Sequence, residues 1–273
     1  MRLMAGYYQQ FDADISRDVP GEAYGGWKRT EIEIGQAALV VMHAWETGTA
    51  EQYPGWYRAV EYIPRAQQIC REVFPPLLSA ARNADFPILH VVGGGDYYRN
   101  LPGYQRAVAL AGKPPPVPTR VEPDAHLKAL HKLRSESVFV GSHNAADVAS
   151  GFAKLDFDTE ALPQGEEGIA ENADQLMALC TDLGVNHLVY IGFALNWCLL
   201  MSPGGMLDMS RRGFLCSTIR EATTAVECRE TAREERNKQE ALWRTALAFG
   251  FIFDVSDFSA ALRGEAADFS FSS

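Results

Sequence analysis

The chain has 273 residues, 47% of them hydrophobic, which suits one large α/β domain better than several small ones. Its 25 basic and 35 acidic side chains leave a formal net charge of −10, which sets nucleic acids and anionic membrane surfaces against it by repulsion. Its cysteines (Cys70, Cys180, Cys198, Cys216, Cys228) form an odd set without C-x-x-C spacing, the usage of free thiols in a reducing compartment rather than of disulfides or a zinc site.

The first residues lack the apolar run and small-residue cleavage site of a secretory signal, and the longest apolar run, Leu188 to Met201, is broken by Gly192 and Asn196. A cytoplasmic chain without a membrane span is expected. Residues 1–36 mix glycine, aspartate, tyrosine and charge without a sustained period and read as an N-terminal arm over the body or a neighbouring subunit. Its aromatic residues Tyr7, Tyr8, Tyr24 and Trp27 are the expected contact of a homo-oligomer. The single domain then runs over 37–273.

Ala37–Met42 is a nearly continuous apolar run, the pattern of a strand buried on both faces of a parallel sheet. From Pro64 to Asn83 apolar residues recur at helical spacing, with Pro75-Pro76 expected to bend or interrupt the helix. A second strand, Phe86–Val92, ends at Gly93-Gly94-Gly95, and strand, helix and strand make a right-handed βαβ unit. The three glycines lack the G-x-G-x-x-G or P-loop context, so they read as a strand exit with unusual dihedrals and not as a nucleotide site. Residues 96–170 form an irregular excursion that includes the stiff run Lys113–Pro118, and an excursion of this length is expected to shape a pocket.

Regular alternation returns with a helix at 171–183, a strand at 187–192 and a helix from Asn196. A strand at Phe214–Ile219, a charged helix at 228–248 and a strand at Phe249–Asp254 complete the chain. The charged face of that last helix reads as solvated, with Ala241, Leu242, Ala246 and Leu247 toward the sheet. Repeated alternation predicts a doubly wound parallel sheet with helices on both faces, a three-layer α/β/α, Rossmann-like architecture.

In such a sheet, residues just past the carboxyl ends of neighbouring strands converge on one crevice, and His43, His90 and Cys198 stand at three such ends. A cysteine at a helix start feels the positive end of the helix dipole, which favours thiolate, and a nearby histidine can take its proton. The opposing readings are a buried cysteine acting as a small hydrophobe and histidines that only hydrogen-bond at strand ends. No histidine pair has the i, i+4 spacing of common zinc motifs, so neither a metal nor a cofactor is expected, and a small molecule is the expected partner.

The segment Leu188-Val-Tyr-Ile-Gly-Phe-Ala-Leu-Asn-Trp-Cys198-Leu resembles the strand, Gly-x-x-Thr-x-x-Cys turn and nucleophile helix of the isochorismatase-like cysteine hydrolases. Arg211–Ala225 is similar to that superfamily's next strand and its Asp-Ala-Thr-Ala segment, and Ala38–His43 to its opening strand, so the likeness spans about 37–255. The resemblance implies an isochorismatase-like α/β hydrolase fold and Cys198 as nucleophile. It also implies a non-proline cis peptide between Phe193 and Ala194 and an oxyanion hole from the N–H groups of Ala194 and Cys198. Trp45, His90, Asn196 and Trp197 are then the expected substrate contacts.

The chain departs from the pattern at three positions. His43 stands where the superfamily has an aspartate, and Leu195 where it has a threonine. Residues 165–172, where its lysine is expected, hold none, leaving Lys154 as the nearest upstream candidate. Two functions are therefore expected to compete. One is hydrolysis of an amide or carbamoyl C–N bond of a small molecule by Cys198, with His43 as base. The other is a non-hydrolytic relative that binds a small ligand or a protein partner.

Overall fold

The computed structural model describes residues 1–10, 25–113 and 119–265. The strands are β1 (Arg2–Gln9), β2 (Gly26–Glu33), β3 (Ala37–Met42), β4 (Ile88–Val91), β5 (Gly168–Ala170), β6 (His187–Gly192), β7 (Leu215–Thr223) and β8 (Ile252–Phe253). The helices are α1 (Pro54–Ala59), α2 (Ile63–Glu72), α3 (Phe74–Asn83), α4 (Pro102–Ala111) and α5 (Ala125–Ser137). They continue with α6 (Ala145–Phe152), α7 (Ala173–Leu183), α8 (Met206–Arg211), α9 (Arg236–Ala248) and α10 (Val255–Leu262).

All eight strands lie in one sheet of order β2-β1-β8-β7-β6-β3-β4-β5. The six from β8 to β5 are parallel, and β1 pairs antiparallel with both β2 and β8. Every residue of β3 and β6 is buried, as their unbroken apolar runs require. Successive side chains of a strand point to opposite faces. Leu39 and Val41 accordingly join one core with Phe74, Leu77 and Phe258, while Ala38, Val40 and Met42 join the other with Leu176, Met206 and Leu242. The sheet is thus doubly wound, with α2, α3 and α10 on one face and α7, α8 and α9 on the other.

Local chemistry sets the helix limits. Pro75 and Pro76 cannot donate backbone bonds, so the long helix breaks at Val73, which ends α2 and precedes α3. Asn172 caps α7 by accepting the Asp174 and Gln175 N–H groups at 3.0 Å each, and Gly184 closes it in a left-handed conformation.

Several expectations are corrected. Residues 2–9 and 26–33 are not an arm laid over the domain but two strands that extend its sheet, because Leu3 and Ala5 alternate into the core. Tyr24 and the run 114–118 lie outside the described residues. The excursion at 96–170 contains α4, α5 and α6 and supplies the edge strand β5, whose three residues are too few to carry a period. The charged helix starts at Arg236 and not at 228, and its Leu247 is 44% exposed instead of packing on the sheet. Among the described residues no helix is long and apolar enough to cross a membrane.

Among the described residues, the buried His90 and His187 and the half-buried His43 make stability depend on pH. Burial lowers His43 and His187 from 6.5 to about 4, and His90 is lowered for the same first reason. Between pH 6.5 and 4 the unfolded chain therefore binds more protons than the folded one, and stability falls as pH falls through that window. Each of His43 and His187 is expected to remove about 3 kcal/mol on passing from pH 7 to pH 4. Urea unfolding at the two pH values measures it, and His187→Asn should flatten the profile.

Candidate active site

The strand order turns back between β3 and β6, since β4 and β5 add on one side and β7 and β8 on the other. A crevice opens at such a switch point. His43 follows β3 there, and Cys198 lies six residues past the end of β6. Both line one cavity of about 500 Å³.

Gly192 makes the exit from β6 possible. Its φ is +121°, and a Cβ at that position would fall 2.0 Å from the carbonyl oxygen of Met42. The next residue, Phe193, donates its N–H to that same oxygen at 3.1 Å, and the Phe193–Ala194 peptide is cis. The chain then enters a single π-helical turn, Leu195–Leu199, in which the Leu199 N–H reaches back to the Ala194 carbonyl. Asn196 fixes the turn against the segment after β7. Its Oδ1 accepts the Val226 N–H at 2.8 Å and its Nδ2 donates to the Val226 carbonyl at 2.9 Å. Asn196 is thus occupied as a clamp on the cysteine turn, not free as a substrate contact.

The cysteine itself differs from the dipole expectation. Burial raises the Cys198 thiol above its ordinary value, although the nearby Ser202 side chain and Ala194 N–H pull it back. One five-residue turn carries too little aligned dipole to overcome desolvation, so the free protein holds a neutral thiol. Tyr62 stands close by: burial first, then the Cys198 sulfur and the Glu61 carboxylate, push its phenol up.

His43 occupies a backbone conformation with φ +52°, uncommon for a non-glycine residue and costing roughly 1 kcal/mol. Its N–H donates to Val91 at 3.1 Å, and its ring stacks on Trp45 with centroids 4.5 Å apart at 16°. Gly93 makes room for the ring, since a Cβ there would lie 3.3 Å from His43 Nε2. Burial lowers the imidazole to about 4, and its buried Nδ1 has no hydrogen-bond partner among the described residues. At neutral pH the ring is an uncharged base.

The excursion completes the walls. Arg134 of α5, Phe139, and Val148 and Phe152 of α6 line the cavity, and Trp197, itself half exposed, stands 6.1 Å from the Phe139 ring. Trp45, a sequence candidate, lines the cavity with its Nε1 donating to Tyr97 at 2.8 Å. Two other candidates are elsewhere. His90 is buried in β4 with Nε2 2.9 Å from the Glu167 carboxylate, which Arg82 also binds at 2.7 Å, and it does not line the cavity. Burial would raise Glu167, but the bonds from His90 and Arg82 outweigh it and bring the carboxyl down to about 2. Lys154 follows α6, is exposed and does not reach the cavity, because the end of α6 places it on the outer surface. Replacing Lys154 by alanine should change any activity less than twofold, measured as kcat/KM.

Tyr62, Glu61, Asp158 and Glu227 also line the cavity, and no local pattern in the sequence marks them. Glu227 accepts the Asn237 and Lys238 N–H groups at the start of α9. Glu61 accepts the Glu227 N–H and binds Arg65.

No family model matches the chain, and no curated protein matches it. Among solved structures it is similar to an isochorismatase-like hydrolase from Alkaliphilus metalliredigens, at 15% identity over 83% of this chain and 97% of that one, with a TM-score of 0.49. It is also similar to a cysteine hydrolase from Pseudomonas syringae pv. phaseolicola, at 12% identity over 84% and 93% of the two chains, with a TM-score of 0.45. N-carbamoylsarcosine amidase from Thermoplasma acidophilum is similar at 12% identity over 81% and 97%, with a TM-score of 0.43.

Proposed function

We propose that the chain is a divergent isochorismatase-like cysteine hydrolase of the cytoplasm that cleaves an amide or carbamoyl C–N bond of a small molecule. The observation that carries this reading is one cavity lined by the Cys198 thiol and by an uncharged imidazole, whose buried Nδ1 has no hydrogen-bond partner among the described residues, at the switch point of the sheet.

In this reading the Cys198 sulfur attacks the carbonyl carbon while its proton passes to His43. The Ala194 N–H and the Cys198 N–H take the oxyanion. The C–N bond breaks, the amine leaves with the proton from His43, and a thioester remains. Water, deprotonated by His43, then resolves the thioester and restores the thiol.

The order of proton and carbon steps follows from the acidities. With the imidazole lowered to about 4 and the thiol raised above its ordinary value, both by burial, a free thiolate–imidazolium pair is uphill. Proton transfer is therefore coupled to attack on a bound substrate, not completed beforehand. The acid limb of kcat/KM is expected near pH 4 instead of near 6.5, and a limb at 6 or above would count against His43 as the base.

Cavity walls of Trp45, Trp56, Phe139 and Phe152 suit an apolar or aromatic acyl group. The direct test is ammonia or amine release from a panel of carboxamides and carbamoyl compounds, with mass spectrometry of the acyl-enzyme. A non-hydrolytic binder is the second reading, favoured by the depressed basicity of His43 and by a cavity without lysine among the described residues. Ligand binding with no thioester and no turnover across the panel would favour it. We also propose a homo-oligomer formed along β2, an edge strand whose Trp27 is 43% exposed, and a monomer mass in light scattering would count against that assembly.

A further inference from the structure

Most polar side chains around the cavity are spent on the protein itself. Trp45 donates to Tyr97, Glu227 receives two backbone N–H groups of α9, and Glu61 receives the Glu227 N–H and the Arg65 guanidinium. Tyr62 differs from them. It lines the same cavity as Cys198 and His43, and its hydroxyl donates to no acceptor among the described residues.

The fold fixes where that hydroxyl stands. Tyr62 immediately precedes α2, its carbonyl accepts the Ala66 N–H at 2.9 Å, and its ring packs against the core that contains Phe193. The phenol oxygen is near enough to the Cys198 sulfur for negative charges on the two to repel, yet no hydrogen bond joins them. Both border the cavity, so a carbonyl group added to the sulfur enters space that the hydroxyl also borders. Burial pushes the phenol up, so at neutral pH it is a proton-bearing donor and not a base. A tyrosine O–H is one of the side-chain groups able to stabilise an oxyanion, and a donor left unspent in a largely desolvated position is free for an incoming acceptor.

We propose that Tyr62 is a catalytic residue whose hydroxyl donates a hydrogen bond to the oxygen of the carbonyl group that Cys198 attacks, beside the Ala194 and Cys198 N–H groups. This role rests on the Cys198 nucleophile of the hydrolase reading but does not need turnover. A neutral donor then supplies charge stabilisation in a cavity without lysine among the described residues.

Benzaldehyde tests the role without turnover. When it adds to the full chain the S–C bond forms, the carbonyl π electrons move to the oxygen, and the thiol proton passes through His43 to that oxygen. Nothing leaves, and a hemithioacetal oxygen takes the place of the oxyanion. Carbon-13 NMR of carbonyl-labelled benzaldehyde follows the adduct, with Cys198→Ala as the blank and benzyl alcohol, which cannot add, as the measure of ordinary binding. Tyr62→Phe keeps the ring and removes no side-chain hydrogen bond among the described residues, so it should melt as the native chain does. In that variant the dissociation constant of the benzaldehyde adduct should rise about fivefold or more, and that of benzyl alcohol by less than about twofold. For any amide turned over, kcat should fall about 10²-fold with KM nearly unchanged, because the oxygen carries charge only in the transition state. An adduct as tight in Tyr62→Phe as in the native chain, an equal loss for benzyl alcohol, or no adduct in the native chain would each overturn the proposal. The hydrolase reading fails on a different result. A Tyr62-dependent adduct without amide turnover keeps the donor and removes hydrolysis, whereas full turnover in Tyr62→Phe removes the donor and keeps hydrolysis.

Discussion

Replacing Cys198 by alanine is expected to lower turnover of any accepted amide by about 10⁴-fold or more, since a nucleophile removed from a catalytic unit takes most of the rate with it. Stability should change by less than about 1 kcal/mol, because the sulfur only partly contacts the core and its removal opens into an existing cavity. The pairing of a large kinetic loss with a small structural one separates a nucleophile from a packing cysteine. Thiol labelling adds a second measure. Cys180 and Cys216 are sealed in the core and pushed up to about 12, whereas Cys198 borders the cavity. In a Cys228→Ser background, which removes the exposed thiol, iodoacetamide should modify Cys198 at least tenfold faster than Cys70, Cys180 or Cys216, and faster still as pH rises. Labelling of Cys198 no faster than Cys180, together with full turnover in Cys198→Ala, would remove the nucleophile from the mechanism.

Much of the sheet is legible in the chain because its central strands are buried on both faces. Ala37–Met42 and His187–Gly192 declare themselves as continuous apolar runs, and the break at Pro75-Pro76 is a backbone property independent of tertiary context. The cysteine turn is likewise local, so its strand, glycine and Asn-Trp-Cys sequence could be read directly.

What was not legible depends on distant contacts. β5 has three residues, too few for a period, and α5 has no buried residue, so no core packing fixes its place in the chain. Leu3 and Ala5 alternate for too short a stretch to stand out among the polar and aromatic residues around them. Lys154 was suggested by its order in the chain, whereas Asp158, four residues later, reaches the cavity because its segment bridges to Trp45. The acidity of Cys198 departs from the dipole expectation for a related reason. A helix dipole can be inferred from sequence, but the desolvation that outweighs it comes from α2, the excursion and the segment after β7 meeting in three dimensions.

Gly192→Ala is expected to be the most destabilising single methyl in the site. The added carbon would meet a backbone carbonyl at 2.0 Å, and no side-chain rotation can relieve a clash with Met42 oxygen. The alternative is for β6 to move away from β3, which breaks the Phe193 N–H bond to that oxygen and shifts the turn carrying Cys198. A side chain at φ +121° is also conformationally costly. Together these should lower stability by about 3 kcal/mol, equivalent to a fall in Tm of roughly 6–12 °C for a chain of this size. Because β3 and β6 also carry His43 and Cys198, the same substitution should reduce kcat/KM by about tenfold or more even at temperatures where the variant is fully folded. Scanning calorimetry and kinetics on the same sample measure both. A variant with the native Tm would show that β6 can leave its strand by another route, and one with a lowered Tm but native kinetics would separate the cysteine turn from the register of the two strands.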